Sequence, residues 1–469
     1  MSLPIFRNKL ITSDDDNSSG LKRCLSKWDL TFLGIGAIIG TGIFVLTGIA
    51  AATQSGPAVI LSFVFAGIAC AFAALSYAEL SAAVGGCGSA YGYSYVAFGE
   101  IFAFIIGWDL ILEYSLAVAT VANGWSGYFN NALEAIGIPL PDLLIKAPKL
   151  GGIVNLPAVA IILMLMILLI IGVKHSAKVN NAMVFVKLLT ITIFIAVAAF
   201  NVHPENWQPF MPYGWFQTLP DGKTTGVLAG ASLVFFAYVG FDAVSTAAEE
   251  ARDPQRDLPF GIVSSLAFCT IIYILVSGLL TGVVNYSELN VSSPVAHAMN
   301  LLGYNWASAL ISTGVIAGLT TVMLVLYYGL TRIIFAMSRD GLLSPFFGEV
   351  HSKTQTPVRV IILCGIIMAS AAGFIPLGDL AELVNIGTLA AFVLVCLGVL
   401  VLRITKPDMP RPFRSPFSPL FPVLGMLSCT ALMAFLPAMT WLRFVVWLVI
   451  GMGIYFSYSL RNSELAKRG

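Results

Sequence analysis

Ionisable side chains inside long apolar segments are the residues of this sequence most able to bind or move charge. Lys187 lies within Met183–Leu189, and Asp109 and Glu113 are four residues apart in another apolar stretch, so both carboxyls share one helix face. A lysine in such a helix must find a partner or release its proton, which makes Lys187 a candidate for proton coupling. The alternatives are a lysine whose head reaches the interface and a purely structural acid pair.

Two apolar segments are interrupted by glycine, at Gly34–Phe44 and at Ser232–Asp242. Glycine costs about 1 kcal/mol relative to alanine inside a helix, and unwound backbone at membrane depth is tolerated only where it lines a cavity or is buried in protein. A pair of such breaks in corresponding positions of two halves indicates the binding site of a secondary transporter. The alternative is that the glycines only let helices pack closely.

The two predicted breaks offer opposite chemistry. After the first break, the amides of Thr41, Gly42 and Ile43 carry the positive end of a helix dipole and suit a carboxylate. The half-helix that ends near 236–239 leaves carbonyls unpaired, and these suit an ammonium group. An anion site that faces a site for a cationic donor matches an α-amino acid.

The composition is that of a helical membrane protein with many spans. Of 469 residues, 58% are hydrophobic and only 10% are charged, against about 25% charged in a typical soluble protein. A net charge of +1 without a basic patch argues against a nucleic-acid partner. Seven cysteines without a CxxC pair predict neither a disulfide framework nor a metal site. We expect no cofactor, with a proton as the coupling ion, and membrane lipids as neighbours.

Twelve apolar segments are long enough to cross a bilayer. They are 29–52, 57–82, 92–130, 157–173, 179–201, 226–249, 260–284, 306–336, 358–375, 380–404, 420–437 and 441–460. Basic residues favour the loops on the side of both termini, which predicts a multi-pass plasma-membrane protein with cytoplasmic ends.

The predicted organisation has four parts. A cytoplasmic tail (1–27) precedes a first repeat of five spans (28–205). A second repeat of five spans (206–406) has the opposite orientation and is followed by two more helices (407–469). An inverted repeat of this kind is typical of alternating-access carriers.

Several motifs resemble those of the cationic amino acid transporter branch of the amino acid–polyamine–organocation (APC) superfamily. The motif-bearing segments are Gly34–Phe44, Phe235–Glu250, Arg252–Pro259, Met337–Leu343 and Asn385–Leu389. The match is to twelve-span bacterial members, since mammalian relatives add two spans. The resemblance implies an all-α, LeuT-like five-plus-five fold with two extra helices and proton-coupled uptake of amino acids.

The resemblance also implies roles for individual residues. Carboxylate binding would fall to Ile39, Thr41 and Gly42, and amino-group binding to the carbonyls of Phe236, Ala237 and Val239. Glu113 would lie near the substrate and suit a cationic side chain. Lys187 would stand where sodium-coupled relatives hold sodium. Leu326 would lie against the substrate side chain, at a position where mammalian cationic carriers have a smaller residue. A leucine there should shorten the pocket, which favours small or medium neutral amino acids over cationic ones.

Further charged residues have structural or gating interpretations. Asp242, with Ser245 three residues on, suits an N-cap for the second half of the sixth span. Glu250 belongs to a charged cytoplasmic cluster that either pairs with Arg332 or Arg339 as an inner gate or is a solvated loop.

Other function classes stay open beside the proton symporter. One is an exchanger or uniporter in which Lys187 stays charged. A channel is disfavoured because the sequence lacks a repeated filter loop or a charged ring. An intramembrane enzyme is disfavoured because no nucleophile and base are paired in a span, so we expect no enzyme activity. The sequence gives no indication of an accessory subunit.

Overall fold

The computed structural model describes residues 7, 25–84, 90–172, 177–219, 224–246, 251–351 and 356–468. Among these residues, eight helices are long and apolar enough to cross a membrane by length and composition, and three apolar helices are shorter. The expected all-α polytopic fold is confirmed.

Twelve segments, TM1 to TM12, account for these helices. TM1 contains Lys27–Ile38, Gly42–Leu46, Thr47–Ala50 and Ala51–Ser55, and the others are TM2 (Val59–Val84), TM3 (Glu100–Ala135), TM4 (Leu156–Ile171), TM5 (Ala177–Ala199), TM6 (Val227–Val234, Phe235–Tyr238 and Ala243–Thr246), TM7 (Pro254–Val283), TM8 (Asn305–Arg339), TM9 (Val358–Phe374), TM10 (Leu377–Thr405), TM11 (Leu420–Ala434) and TM12 (Ala438–Ile454).

Short elements connect or extend these segments. The helices are Gly56–Ala58, Ala90–Ala97, Asp142–Leu144, Pro148–Leu150, Pro204–Trp207, Tyr286–Glu288, Pro294–Leu301, Pro345–Gly348, Tyr455–Ser459, Leu460–Asn462 and Glu464–Arg468. Two antiparallel strands, β1 (Gln217–Thr218) and β2 (Thr224–Thr225), form a hairpin before TM6.

The third span begins later than predicted. The expected span 92–130 is split, because Ala90–Ala97 forms a separate helix and the chain turns at Gly99, whose φ is +93°. This left-handed conformation favours glycine and cannot continue an α-helix, so TM3 starts at Glu100.

Both described ends of the chain meet at the start of TM3. The Glu100 amide donates to the Arg7 carbonyl over 3.0 Å, and the Ser463 hydroxyl donates to the Glu100 carboxylate over 2.5 Å. These described ends therefore lie at the same end of the helix bundle, which we name the terminal face.

TM1 and TM6 run in opposite directions. Near the terminal face, the Arg252 amide after TM6 donates to the Leu25 carbonyl before TM1 over 2.9 Å. At the other end, the Gly226 amide before TM6 donates to the Gln54 carbonyl late in TM1 over 2.8 Å. This antiparallel pair agrees with an inverted repeat, whereas the exact boundaries at residues 205 and 406 stay a prediction.

A buried ion cluster joins TM2 to the end of TM10. The Glu79 carboxylate, which is 1% exposed, accepts two hydrogen bonds from the Arg403 guanidinium, at 2.9 and 2.6 Å. Arg411 lies 3.6 Å away, and the Ser415 amide donates over 2.8 Å. Because the carboxylate and both cations are mutually paired, removal of one partner leaves a buried charge uncompensated.

We therefore predict that Glu79→Ala lowers the free energy of unfolding by about 3–5 kcal/mol. Thermal unfolding of the purified protein in detergent measures the effect. Asp142→Ala is the matched control, because Asp142 pairs with Lys146 on the surface and such pairs contribute about 0–1 kcal/mol. Equal melting temperatures for the two variants would show that the cluster does not hold TM2 to TM10.

Candidate functional site

The break in TM1 is short and extended. The first helix ends at Ile38, and Ile39 has extended backbone angles of φ −72° and ψ 103°. A π-helical turn restarts the span at Gly42, and the Phe44 amide donates back to the Gly40 carbonyl over 3.4 Å. The first amides of a restarted helix have no intrahelical acceptors, so those of Thr41, Gly42 and Ile43 face the break.

The break in TM6 has a different form. The α-helix gives way at Phe235 to a 3₁₀ turn that ends at Tyr238. Val239 then adopts ψ 130°, and Gly240 has φ +118°. Only glycine adopts this conformation readily, and a Cβ at Gly240 would lie 2.9 Å from the Ala37 carbonyl oxygen of TM1. TM6 therefore changes direction where it touches TM1.

The two breaks are in direct contact. A Cβ added at Gly42 would lie 2.2 Å from the Ala237 Cα, so the two backbones touch at that point. The Tyr273 hydroxyl of TM7 lies 2.9 Å from the Ile38 carbonyl oxygen and 2.8 Å from that of Ala237. Because a phenol has one proton, Tyr273 donates to one of these carbonyls at a time and links both breaks.

The arrangement leaves groups for a zwitterion. The Phe236 carbonyl accepts one bond from the Val239 amide, at 3.2 Å, and each carbonyl oxygen has two lone pairs. The Thr41 hydroxyl is buried without a hydrogen-bond partner. Amides at the restarted TM1 helix thus lie beside carbonyls with spare acceptor capacity on TM6. The substrate-binding roles that the sequence suggests for these groups stay a prediction.

Lys187 joins TM5 to the break in TM1. Its Nζ donates to the Gly36 carbonyl over 2.6 Å, and its side chain is 1% exposed. The aliphatic stem packs on Gly318 of TM8, where a Cβ would lie 2.8 Å from the Lys187 Cγ. No salt bridge to Lys187 occurs among the described residues, so its ammonium depends on this carbonyl.

Three buried carboxyls lie together beside the break in TM6. Asp109 and Glu113 of TM3 and Asp242 of TM6 interact electrostatically, and each has one oxygen that is buried without a hydrogen-bond partner. Tyr114 and Thr388 provide hydroxyl contacts to Asp242 and Glu113 respectively. Within the described part of the chain, the ion pairs do not include these three acids.

TM8 presents an apolar face to the break in TM1. Gly40 faces Val322, since a Cβ at Gly40 would lie 3.8 Å from it. Leu326 is one turn further along, on the same helix face as Val322, and is buried. Its place therefore allows contact with a ligand side chain held at the breaks.

The structure separates Arg332 from this site. Arg332 is exposed on TM8, and its guanidinium lies 4.8 Å from the Tyr328 ring centroid. Glu250 lies outside the described residues. The expected gate between these two residues therefore stays a prediction without a structural contact.

The segment before TM8 covers the breaks on the side away from the terminal face. A Cβ at Gly48 of TM1 would lie 2.5 Å from Pro294, and one at Gly127 of TM3 would lie 2.6 Å from the Ser292 carbonyl oxygen. These two glycines therefore let the helix Pro294–Leu301 and its preceding turn sit directly on TM1 and TM3.

Sequence reasoning missed three polar side chains that bond to broken backbone. They are Tyr273, Asn385 of TM10, which donates to TM6 carbonyls, and Tyr128 of TM3, which donates to the Phe44 carbonyl over 2.7 Å. The available signal was a tyrosine or asparagine in an apolar span, because such groups need a hydrogen-bond partner when buried.

The chain matches a family model described as amino acid permease over residues 25–457. It is 50% identical to the branched-chain amino acid permease BcaP of Bacillus subtilis (strain 168), over 98% of this chain and 99% of that protein. It is also 48% identical to the methylthioribose transporter of the same organism, over 99% of both chains.

A third relative is longer. Cationic amino acid transporter 4 of Homo sapiens is 37% identical over 85% of this chain, and the match spans 63% of its length. These relatives are transporters rather than enzymes. The chain belongs to the amino acid permease family, within the APC superfamily that its motifs resemble.

Proposed function

We propose that this permease is a proton-coupled symporter of small to medium neutral amino acids. The observation that carries the proposal is the contact between two broken helices, one with free amides and the other with carbonyls able to accept further bonds. A zwitterion fits both at once, with its carboxylate at Thr41–Ile43 and its ammonium at Phe236–Val239. Opposite orientations of TM1 and TM6 support alternating access about this point.

The names of the relatives give two chemistries to compare. One is a permease of branched-chain amino acids and another is a transporter of methylthioribose. A thio-sugar has neither a carboxylate nor an ammonium, so it would leave both half-helix ends without a charged partner. The site therefore favours the amino acid, and apolar Val322 and Leu326 favour a neutral side chain.

Proton coupling is proposed to pass through Lys187. When protonated, this side chain ties TM5 to TM1 through the Gly36 carbonyl. Loss of the proton would remove the charge that strengthens this hydrogen bond and loosen TM1 beside the carboxylate site. The acids Asp109, Glu113 and Asp242 form the second candidate for proton binding, and an exchanger without proton coupling is the alternative mechanism.

Charge distribution supports a cytoplasmic terminal face in the plasma membrane. Arginines and lysines in the described segments at that face include Arg7, Lys27, Arg252, Arg256, Arg339, Arg359, Arg403, Lys406, Arg411, Arg414, Arg461, Lys467 and Arg468. The opposite side has Lys146, Lys149 and Arg443 among the described residues. Such an excess is typical of cytoplasmic loops.

Gly42→Val should abolish amino acid binding, because its side chain would overlap Ala237 and crowd the carboxylate. Equilibrium binding of labelled alanine and leucine to purified protein measures this. Gly453→Val is the matched control, since a Cβ there meets no atom within 4 Å, and it should bind normally. Unchanged affinity in the Gly42 variant would place the substrate elsewhere.

Leu326→Ser should shift selectivity toward longer or cationic amino acids, because it enlarges the site and leaves Glu113 available to attract positive charge. Competition by lysine and arginine against labelled alanine should strengthen by about tenfold, which is roughly 1.4 kcal/mol. Leu324→Ser, on another face of TM8, should show no such shift. Identical competition profiles in the two variants would remove Leu326 from the site.

Lys187→Ala and Lys187→Arg should both lose uptake driven by a pH gradient in liposomes, while counterflow without a gradient persists. Alanine has no ammonium, and arginine cannot release its proton in a protein. The control variant Thr192→Ala, at an exposed position of TM5, should accumulate amino acid normally.

Methylthioribose is the competing substrate in the wild-type counterflow assay. Transport of methylthioribose without any transport of amino acids would refute the amino acid proposal.

Uphill accumulation by the arginine variant at the wild-type rate would show that the proton binds elsewhere, with Glu113 next to be tested. Wild-type uptake that ignores an imposed pH gradient would instead favour an exchanger or uniporter.

A further inference from the structure

Asn385 contacts TM6 where its α-helix ends. The Asn385 amide nitrogen donates to two consecutive carbonyls, that of Ser232 over 2.7 Å and that of Leu233 over 3.1 Å. Both carbonyls belong to the last turn of Val227–Val234, directly before the 3₁₀ turn Phe235–Tyr238. Carbonyls at a helix end need partners from outside the helix, and TM10 supplies one.

These two hydrogen bonds fix the orientation of the helix end. Consecutive residues of an α-helix are rotated by about 100° around the axis, so one amide group that reaches both carbonyls holds the last turn at a defined rotation and depth. The carbonyls of Phe236 to Val239 continue from this turn. Their direction toward a bound ammonium therefore depends on the turn that Asn385 holds.

The Asn385 side chain is fully buried, and its amide oxygen has no hydrogen-bond partner. An unsatisfied buried acceptor costs about 1–3 kcal/mol, and a leucine or alanine would avoid that cost. An asparagine at this place is therefore explained by its two N–H donors rather than by packing.

The same stretch of TM10 touches the acids of the site. A Cβ at Gly387 would lie 2.7 Å from the Asp109 Oδ1, and Thr388 contacts Glu113. TM10 thus spans from the end of the TM6 half-helix to the carboxyls on TM3. A shift of TM10 would change both contacts together.

We propose that Asn385 is a positioning residue that aligns the TM6 carbonyls with the amino group of the substrate. This inference rests on the proposed amino acid site. It assigns to TM10 a part in recognising the amino group, although no atom of Asn385 needs to touch the substrate.

The test compares alanine with N-methylalanine as substrates in liposome counterflow. Methylation removes one N–H donor, so aligned carbonyls should discriminate against it. In Asn385→Ala, the KM for alanine should rise by about fivefold to tenfold. The ratio of the KM for N-methylalanine to the KM for alanine should fall by at least threefold. Misaligned carbonyls bind the ammonium less well, so the loss of one N–H donor costs less substrate affinity. Asn385→Leu keeps a similar size without any hydrogen-bond donor and should behave like the alanine variant.

Asn130→Ala is the control, because Asn130 of TM3 is also buried and makes two hydrogen bonds, to Glu134 and from the Leu140 amide. It should lower the melting temperature without changing the KM ratio. If Asn385→Ala changes only the melting temperature, or Asn385→Leu retains wild-type discrimination, the positioning role is refuted. If wild-type protein transports neither alanine nor leucine, the proposed function itself fails, which is a separate outcome.

Discussion

The architecture depends on one constraint, which is that backbone amides and carbonyls inside a membrane must have partners. TM1 and TM6 break their own hydrogen-bond ladders at matching places, and side chains from other segments take over part of the bonding. Tyr273 of TM7 donates a hydrogen bond to the carbonyl of Ile38 or of Ala237. Lys187 of TM5 donates to the Gly36 carbonyl, and Asn385 of TM10 donates to two carbonyls of TM6. The groups that remain without partners are the ones assigned to the substrate in the proposed site.

This constraint also connects the site to conformational change. Each of the three side chains belongs to a different span, so motion of TM5, TM7 or TM10 alters the bonding at a break. Under the proposed function, a ligand that supplies both a carboxylate and an ammonium would stabilise the state in which both breaks are aligned. A binding energy that differs between two states is what shifts their populations, so the broken helices would link occupancy to the direction in which the protein opens.

The breaks, the acids and Lys187 could be predicted from the sequence because their signals are local: glycine inside an apolar run, or a charge inside a span. The partners of Tyr273 and Asn385 could not, because their acceptors are 36 to 235 residues away along the chain. The gate expected at Arg332 stays a prediction, since Glu250 lies outside the described residues. The start of TM3 was missed because Gly99, a turn with positive φ, lies within a continuous apolar stretch.

The most direct measurement of the central claim is a cryo-EM structure of the protein in a lipid nanodisc with bound leucine. The proposed site predicts ligand density between the two breaks, with the carboxylate within hydrogen-bond distance of the amides of Thr41–Ile43 and the ammonium at the carbonyls of Phe236–Val239. Density in which leucine lies away from both breaks, or in which TM1 and TM6 run as continuous helices, would contradict it.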